Sequence, residues 1–220
     1  MEPGGLRSRP GRSAGVCARQ QGGAAKAGPA GGGRMSALHA PVLLDEMLHY
    51  LEPRDGGLYV DGTFGAGGYT RAILGVEGAR VLGIDRDPSA REAADAVGKA
   101  WPKRFALAQG PFSLMADVIE RAGSSGADGV VLDLGVSSMQ LDRPERGFSF
   151  QKDGPLDMRM SCEGPSAADA VNHLDLEELA AVFRAYGEEK RARRAAQFIV
   201  EAREQAPIET TGRLAEIVSR

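Results

Sequence analysis

The sequence has few cysteines and histidines, and it has no long apolar run. Cys17 and Cys162 are far apart and belong to no CxxC pair, and His39, His49 and His173 are scattered along the chain. This spacing predicts neither a zinc site nor a disulfide framework, and it fits a reducing compartment such as the cytoplasm. No apolar stretch reaches the length of a membrane-spanning helix. We therefore expect a soluble globular protein without a bound metal.

Charge is distributed unevenly along the chain. Residues 1–34 contain six Arg or Lys residues and a single acid, Glu2, whereas the whole chain has a net charge of −3. Residues 35–220 therefore carry a net charge of −8. An acidic body of this kind is not typical of a protein that binds nucleic acid through charge.

The most informative stretch is Leu58–Thr70, in which an apolar run passes through Asp61 into a glycine-rich turn. This order is typical of a buried parallel strand that turns directly into a helix. Gly62, Gly65, Gly67 and Gly68 allow the backbone to take positive φ and to approach a ligand closely. In open α/β sheets the ligand lies beyond the carboxyl ends of the strands, so this turn is the expected cofactor site.

The details of the turn favour a nucleoside cofactor over a dinucleotide. A dinucleotide fingerprint requires Gly-x-Gly-x-x-Gly, and here Thr70 stands in place of the third glycine. Asp61 would repel a pyrophosphate but attract a ligand that carries an ammonium and a sulfonium, as S-adenosylmethionine does. Asp85 ends the next apolar strand, where an acid accepts hydrogen bonds from ribose hydroxyls. The alternative is that Asp61 and Asp85 only cap helices.

Strands alternate with helices through the first two thirds of the chain. We predict strands at Leu58–Asp61, Arg80–Asp85, Phe105–Gln109 and Gly129–Asp133, and a first helix whose apolar face includes Val42, Leu43, Met47, Leu48 and Leu51. Ser113 is predicted to cap the helix that follows the third strand. This alternation predicts a doubly wound parallel α/β sheet. Three further helices are predicted near 176–186, 188–205 and 211–219, the first with a capping box of Asp175 and Glu178.

Residues 135–165 are expected to be irregular and functional, because long loops without regular structure are uncommon otherwise. Asp133 leaves the fourth strand towards the crevice, where it could hold an amine. The basic residues Arg143, Arg146, Lys152 and Arg159 are interleaved with Phe148 and Phe150. Arginines combined with aromatic rings grip single-stranded nucleic acid, although core packing explains the two phenylalanines equally well. A second basic run at 190–194 is interpreted as a solvated helix face.

Residues 1–34 are rich in Gly, Arg and Ala and are predicted to be disordered. They lack the apolar region of a secretory signal. An Arg-rich leader of this kind could address an organellar matrix, but we favour the interpretation that translation begins at Met35.

Seven segments of the sequence, in order, resemble one family. They are His39–Leu44, Asp61–Gly68, Gly83–Pro88, Gly110–Ser113, Leu132–Ser138, Arg146–Phe150 and Gly154–Met160. Together they resemble the ribosomal RNA small-subunit methyltransferase H family, also called MraW. The resemblance extends over about 37–220 and implies a Rossmann-like class I methyltransferase with a helical insertion after the fourth strand.

The resemblance implies an activity and a set of site residues. Members of the family transfer a methyl group from S-adenosylmethionine to N4 of a cytidine in the decoding region of 16S rRNA, within the small ribosomal subunit. Its cofactor contacts correspond to Gly67, Gly68, Tyr69, Asp85, Phe112, Asp133 and Gln140, and no metal is implied. Asp133 is our candidate catalytic residue. The implied domains are a leader at 1–36, a cofactor-binding part at 37–140 and a substrate-recognition part at 141–220.

Two positions depart from the family pattern, and one feature concerns the end of the chain. Tyr69 stands where many members have His, and Met139 stands where many have Pro before Gln140. The chain ends at Arg220, inside the helical insertion of the family, so we expect the remaining strands to be absent and one sheet edge to be uncovered. An uncovered apolar edge favours aggregation, so we expect the isolated chain to be poorly soluble.

Two other functions remain open at this stage. The chain could be a catalytically inactive, cofactor-binding ribosome-assembly factor, which the shortened C-terminus would favour. It could also be a nicotinamide-dependent oxidoreductase, which Asp61 and the missing third glycine disfavour.

Overall fold

A parallel four-stranded sheet forms the centre of the fold in the computed structural model, which describes residues 41–220. The strands are β1 (Leu58–Asp61), β2 (Arg80–Asp85), β3 (Phe105–Gln109) and β4 (Gly129–Val131), in the order β3-β2-β1-β4. The doubly wound α/β fold predicted from the sequence is confirmed. From β1 the chain continues to β2 and β3 on one side of β1, and β4 then pairs with the other side of β1. The strand order therefore reverses between β1 and β4, where ligands bind in such sheets.

Nine helices surround or extend the sheet within the described residues. They are α1 (Leu44–Leu51), α2 (Gly68–Leu74), α3 (Ala90–Ala100), α4 (Met115–Arg121), α5 (Ser138–Leu141), α6 (Ala167–His173), α7 (Leu176–Gly187), α8 (Ala192–Arg203) and α9 (Thr211–Val218). Short 3₁₀ turns lie at Phe112–Leu114 and Pro144–Arg146. The Asp175–Glu178 capping box predicted at the start of α7 is present, with both reciprocal hydrogen bonds.

The predicted strands agree with the observed ones, except at the end of β4. This strand ends at Val131, two residues before the predicted Asp133. The backbone amide of Asp133 donates to the hydroxyl of Thr63 at 2.7 Å, so it pairs with a side chain of the glycine turn instead of a strand. The hydrogen bonds of the sheet stop here because the next amide donor, that of Asp133, is already bonded to Thr63.

The first helix starts later than its apolar pattern predicts. Leu43 has a φ of +52°, a left-handed conformation that an α-helix does not continue. Val42 and Leu43 are 70% and 65% exposed, whereas Met47, Leu48 and Leu51 pack against the core. The prediction of one apolar face from Val42 onward is therefore wrong for its first two residues.

Two other local predictions were wrong, and one helix was missed. Ser113 caps no helix, because it lies inside the 3₁₀ turn that leads into α4 and makes no side-chain cap bond. The segment predicted as irregular contains α5, whose start is held by a capping box of Ser137 and Gln140. Helix α6 was not predicted, although Ser166 and Asp169 form a capping box at its start. Both of these helices are short, so their apolar periodicity is too brief to read.

The apolar core has three clusters. Tyr59 and Val81 face α1, α2 and α3 on one side of the sheet, whereas Val60 and Ile84 face α4 on the other side. The third cluster joins α6, α7, α8 and α9, with Leu156 from the preceding loop. The described residues, 41–220, belong to one compact unit, and a division at 140/141 stays a prediction.

Strand β4 and the segment that follows it lie exposed at one edge of the sheet. The strand pairs with β1 only, and Val130, Leu132 and Leu134 are 44%, 41% and 67% exposed. In the described part of the chain, this edge is therefore uncovered, as we expected.

Some predictions fall on residues outside the described range. The leader, Cys17 and His39 are among them. None of the helices in residues 41–220 has the length and apolar character needed to span a membrane.

Candidate functional site

The candidate site lies at the carboxyl ends of β1, β2 and β4, around the turn that follows β1. Gly65 and Gly67 have φ values of +52° and +78°, which non-glycine residues adopt at a cost. A Cβ atom on Gly67 would lie 2.8 Å from the Phe64 ring, and one on Gly68 would lie 2.4 Å from Pro41. Gly67 and Gly68 therefore let the turn approach Phe64 and Pro41 closely, and α2 begins at Gly68.

Asp85 is the carboxylate best placed for a ligand. Its Oδ2 accepts a hydrogen bond from the Gly65 amide at 2.7 Å, and its Oδ1 accepts one from the Asp87 amide at 2.8 Å. Because each carboxylate oxygen has two lone pairs, both oxygens keep acceptor capacity. The side chain is partly exposed. It can therefore accept hydrogen bonds from a pair of hydroxyl groups while its own orientation is fixed.

Asp61 lies at the end of β1 as predicted, but it is more deeply buried than we expected. Its side chain is 0% exposed, so the sequence-based expectation that it attracts a ligand cation directly is wrong in this structure. Its Oδ2 accepts from the Thr70 hydroxyl at 2.7 Å, and its Oδ1 accepts from the Thr63 amide at 3.3 Å. Burial raises the pKa of Asp61 to about 6, against the opposing effect of these hydrogen bonds. Asp61 thus stabilises the glycine turn through its hydrogen bonds with Thr63 and Thr70.

Tyr69 and Phe112 are the two aromatic residues next to the glycine turn. The Tyr69 hydroxyl donates to the carbonyl of Val42 at 2.5 Å, which ties the ring to the segment before α1. Burial and the nearby Asp133 and Asp61 carboxylates raise the pKa of Tyr69. Phe112 is 44% exposed, and its Cβ would lie 3.2 Å from a Cβ built on Gly62. An exposed ring beside a glycine of the turn offers a flat apolar surface to a ligand.

Asp133 and Gln140 have unequal access to the crevice. Asp133 is exposed, and its backbone is held to Thr63, so its carboxylate remains open to a ligand. Gln140 is 5% exposed, its Oε1 accepts from the Ser137 amide, and its Nε2 donates to Asp87. The structure therefore gives Gln140 internal partners on both polar atoms of its side chain.

The four basic residues predicted to grip nucleic acid divide into two pairs. Arg146 is 7% exposed and bonded to Asp87, and Arg159 forms an ion pair with Asp157 at 2.6 Å. Arg143 and Lys152 are exposed. The hypothesis of four outward-facing cations is therefore wrong for Arg146 and Arg159, whose charges are used inside the loop.

The two phenylalanines of this loop also differ. Phe150 is 81% exposed, whereas Phe148 is half-buried and lies under the Arg146 guanidinium, 5.9 Å from the ring centroid. Phe150 is thus the ring that remains free to stack on a base.

The second basic run contributes to a separate cavity of about 490 Å³ between the helices. Phe183, Arg191, Arg194, Phe198 and Arg220 are among its lining residues. Arg194 lies over the Phe198 ring at 5.3 Å, and Arg193 is paired with Glu177. All four basic residues of the run are exposed, so the predicted solvated face is confirmed, although Lys190 and Arg191 lie just before α8 and not on a helix.

Four residues of the site region were given no role there by the sequence analysis. They are Thr63, Thr70, Asp87 and Arg146. Thr70 was noted only as the missing third glycine, yet its hydroxyl is the main partner of Asp61. Asp87 stands two residues after Asp85, in the segment Asp-Arg-Asp. That spacing was a usable signal, because an acid just after a strand end seldom lacks a partner.

The model of the MraW methylase family matches residues 36–220. The chain belongs to the MraW methylase family. The resemblance inferred from the seven motifs is therefore confirmed, and so are the Rossmann-like fold class and the methyltransferase class of the family.

Curated members of the family match most of this chain. Ribosomal RNA small subunit methyltransferase H from Maricaulis maris is 58% identical over 184 residues, which are 84% of this chain and 55% of that protein. The protein of the same name from Parvibaculum lavamentivorans is 57% identical over 181 residues, which are 82% of this chain and 53% of that protein. The chain spans about half the length of the curated relatives that it matches.

Proposed function

We propose that this chain carries the S-adenosylmethionine site of an rRNA methyltransferase that acts on N4 of a cytidine in the decoding region of 16S rRNA. The observation that carries the proposal is the Asp85 carboxylate, which the Gly65 and Asp87 amides fix at the end of β2. Membership of the MraW methylase family and the name shared by the curated relatives support it.

The residues at the crevice fit this cofactor. Asp85 would accept the ribose hydroxyls, Phe112 would lie against the adenine ring, and Asp133 would face the ammonium group of the methionine part. The turn through Gly67, Gly68 and Tyr69 would pass beneath the methionine part. S-adenosylmethionine supplies an electrophilic methyl group on a sulfonium. The chain's own residues then have to bind, orient and exclude water, because an amine on cytosine is a weak nucleophile.

Asp133 is the proposed residue for the amine. Its carboxylate is exposed at the end of β4, and the bond from its amide to Thr63 fixes its backbone. By accepting an N–H of the cytosine amine, it would favour a nitrogen lone pair directed at the methyl group. No strong base need act first, because the amine proton becomes acidic only as the new N–C bond forms. The base would have to leave its stack, and Phe150 is exposed to receive it.

Substrate recognition is proposed to depend on the folded small ribosomal subunit. Residues 35–220 carry a net charge of −8, which argues against strong binding through charge alone. Arg143 and Lys152 are the exposed cations beside Phe150 in the described loop. They would contact phosphates and position the loop without reading the sequence.

Cofactor binding is tested by calorimetric titration with S-adenosylhomocysteine and, separately, with NAD. Binding of the first and not of the second is the expected result, and the reverse would favour the oxidoreductase. Asp85→Ala should weaken binding roughly ten- to a hundredfold, which corresponds to about 1.5–3 kcal/mol for a hydrogen bond to a charged group. Asp128→Ala is the matched control, because Asp128 also accepts a backbone amide, that of Leu58, but from the start of the sheet.

Turnover is tested by nucleoside mass spectrometry of rRNA from a strain in which Asp133→Asn is the sole source of the enzyme. We expect most N4-methylcytidine to be lost while the fold is retained, and a full level of N4-methylcytidine would remove Asp133 from catalysis. Cofactor binding without turnover in the unsubstituted chain would support the alternative, an inactive assembly factor.

A further inference from the structure

Arg146, Asp87 and Gln140 form a buried polar cluster beside the crevice. Their exposed fractions are 7%, 5% and 5%. Arg146 Nη1 lies 2.9 Å from Asp87 Oδ2, and Gln140 Nε2 donates to the same oxygen at 2.9 Å. The Ser89 amide donates to Asp87 Oδ1 at 2.9 Å. The Asp87 carboxylate therefore collects donors from three separate segments of the chain.

The cluster extends from Asp87 to the cofactor carboxylate. The Asp87 amide donates to Asp85 Oδ1, so the turn that positions the Asp87 side chain also positions Asp85. Gln140 links the cluster to the turn after β4, because its side chain and the Ser137 side chain each accept the other's backbone amide. A displacement of Asp87 would thus move groups at the ends of both β2 and β4.

Arg146 also holds the loop that follows. Its Nη2 donates to the carbonyls of Arg159 and Met160 at 3.0 Å and 3.1 Å, and its own carbonyl accepts the Met158 amide at 3.1 Å. One planar guanidinium therefore joins Asp87 to the carbonyls of Arg159 and Met160. A lysine could not make these contacts together, because its ammonium is a point donor without the fixed fork of a guanidinium.

We propose that Arg146 is a positioning residue for the nucleoside cofactor, and that it holds Asp85 and the Ser137–Gln140 turn in register with the 143–160 loop. The proposal rests on the proposed function and deepens it. Cofactor binding in the crevice is therefore coupled to the order of the 143–160 loop, because the same guanidinium bonds to Asp87 and to backbone carbonyls of the loop. A buried ion pair is weak evidence for stability by itself, so its value here is geometric.

The first test needs no ligand. Hydrogen exchange monitored by mass spectrometry would compare the unsubstituted chain with Arg146→Lys and Arg146→Gln. We expect faster exchange in three peptides that cover 84–90, 137–142 and 157–161, since all three depend on Arg146. Faster exchange confined to 143–161 would overturn the proposal, because Arg146 would then hold only its own loop.

The matched control is Arg104→Gln. Arg104 also spreads its guanidinium over backbone carbonyls, those of Leu74, Val76 and Ala79, but at the amino end of β2. It should raise exchange near 74–80 and leave the three crevice peptides unchanged. Equal exchange of the crevice peptides in Arg104→Gln and Arg146→Lys would mean general loosening, and it would overturn the proposal.

The second test measures affinity for S-adenosylhomocysteine by calorimetry. Arg146→Lys should bind at least fivefold more weakly, although Arg146 does not border the crevice, and Arg104→Gln should bind within twofold of the unsubstituted chain. Unchanged affinity in Arg146→Lys would overturn the proposal. If the unsubstituted chain itself fails to bind, the proposed function fails, and the exchange experiment still decides whether Arg146 joins the three segments. Should Arg146→Gln fail to fold, Arg146→Lys and Asp87→Asn provide the same comparison.

Discussion

The carboxyl ends of β1 and β2 each have a buried carboxylate, Asp61 as the last residue of β1 and Asp87 two residues after β2, and its surroundings differ between the two. Asp61 is 0% exposed and receives two neutral donors, the Thr70 hydroxyl and the Thr63 amide. Burial raises its pKa to about 6. Asp87 is 5% exposed, and burial would raise its pKa too, but Gln140, Ser89 and Arg146 outweigh burial and hold the pKa below its usual range.

This difference shows that burial does not decide the charge of a carboxylate until its donors are counted. Desolvation penalises the ionised form in both turns, and only the turn after β2 provides a cation and enough donors to reverse the penalty. The first turn therefore contains a group that takes up a proton just below neutral pH. The second contains a group whose pKa is held below its usual range, so it is ionised at neutral pH and can orient the donors around it.

The largest expected effect comes from removing the cation of the second turn. Arg146→Gln leaves the Asp87 carboxylate buried without its counter-charge, which should lower the free energy of unfolding by about 3–5 kcal/mol. Urea unfolding followed by the fluorescence of Trp101, the single tryptophan, measures this change. Adding Asp87→Asn to Arg146→Gln should restore part of the loss, and a double variant no more stable than Arg146→Gln would contradict the explanation.

The next effect is the pH dependence set by Asp61. Its pKa is higher in the folded chain, about 6, than the ordinary 3.8, so the folded state binds more protons between these values. Its contribution to stability is thus fully present below pH 3.8 and is lost as the pH rises through about 6. The loss should amount to about 3 kcal/mol, at 1.36 kcal/mol for each pKa unit.

Unfolding measured from pH 4 to pH 8 in the unsubstituted chain and in Asp61→Asn would isolate this contribution. The asparagine has no charge to gain, so the difference between the two free energies of unfolding should change across pH 4–6. A constant difference over that range would show that Asp61 titrates normally.

A smaller effect should follow from removing the main donor to Asp61. Thr70→Val keeps the shape of the side chain but removes the hydroxyl that bonds to Asp61 Oδ2 at 2.7 Å. We expect a loss of about 1–3 kcal/mol in the free energy of unfolding at pH 7.5, because a buried acceptor is left short of a donor. Thr70→Ser keeps the hydroxyl and serves as the control. A valine variant as stable as the serine variant would mean that this hydrogen bond adds nothing.

The smallest expected effect concerns an ion pair in water. Arg213 and Glu216 lie 3.2 Å apart on α9, with side chains 46% and 70% exposed. Arg213→Gln should change the free energy of unfolding by less than about 1 kcal/mol, since solvent and salt screen such pairs. The same Arg-to-Gln change would then differ severalfold between Arg146 and Arg213. Similar losses at both positions, measured in the same unfolding experiment, would contradict the role assigned to burial.

Local sequence patterns predicted the sheet well because each strand is a short apolar run bounded by polar or glycine residues. Three strands agree with the prediction, and β4 differs only at its end, where a Thr63 side chain replaces a strand partner. The predicted α1 start was wrong because the left-handed conformation of Leu43 is not encoded in apolar spacing. Short helices such as α5 depend on their capping residues, and a capping box is harder to recognise in a sequence than the apolar periodicity of a long helix.

The sequence by itself determined the family, the glycine turn and the row of acids at the ends of β1, β2 and β4, because these features are local and their order is fixed along the chain. Only the tertiary structure decided which acids stay accessible at the crevice and which are buried against another part of the chain. Asp61 and Asp85 look alike in sequence, yet one is bonded to Thr70 beneath the turn and the other remains partly exposed. Arg146 looked like a cation for RNA until the fold placed it on Asp87, 59 residues earlier in the chain. The physical reason is that burial and pairing depend on contacts between distant segments, which no local pattern specifies.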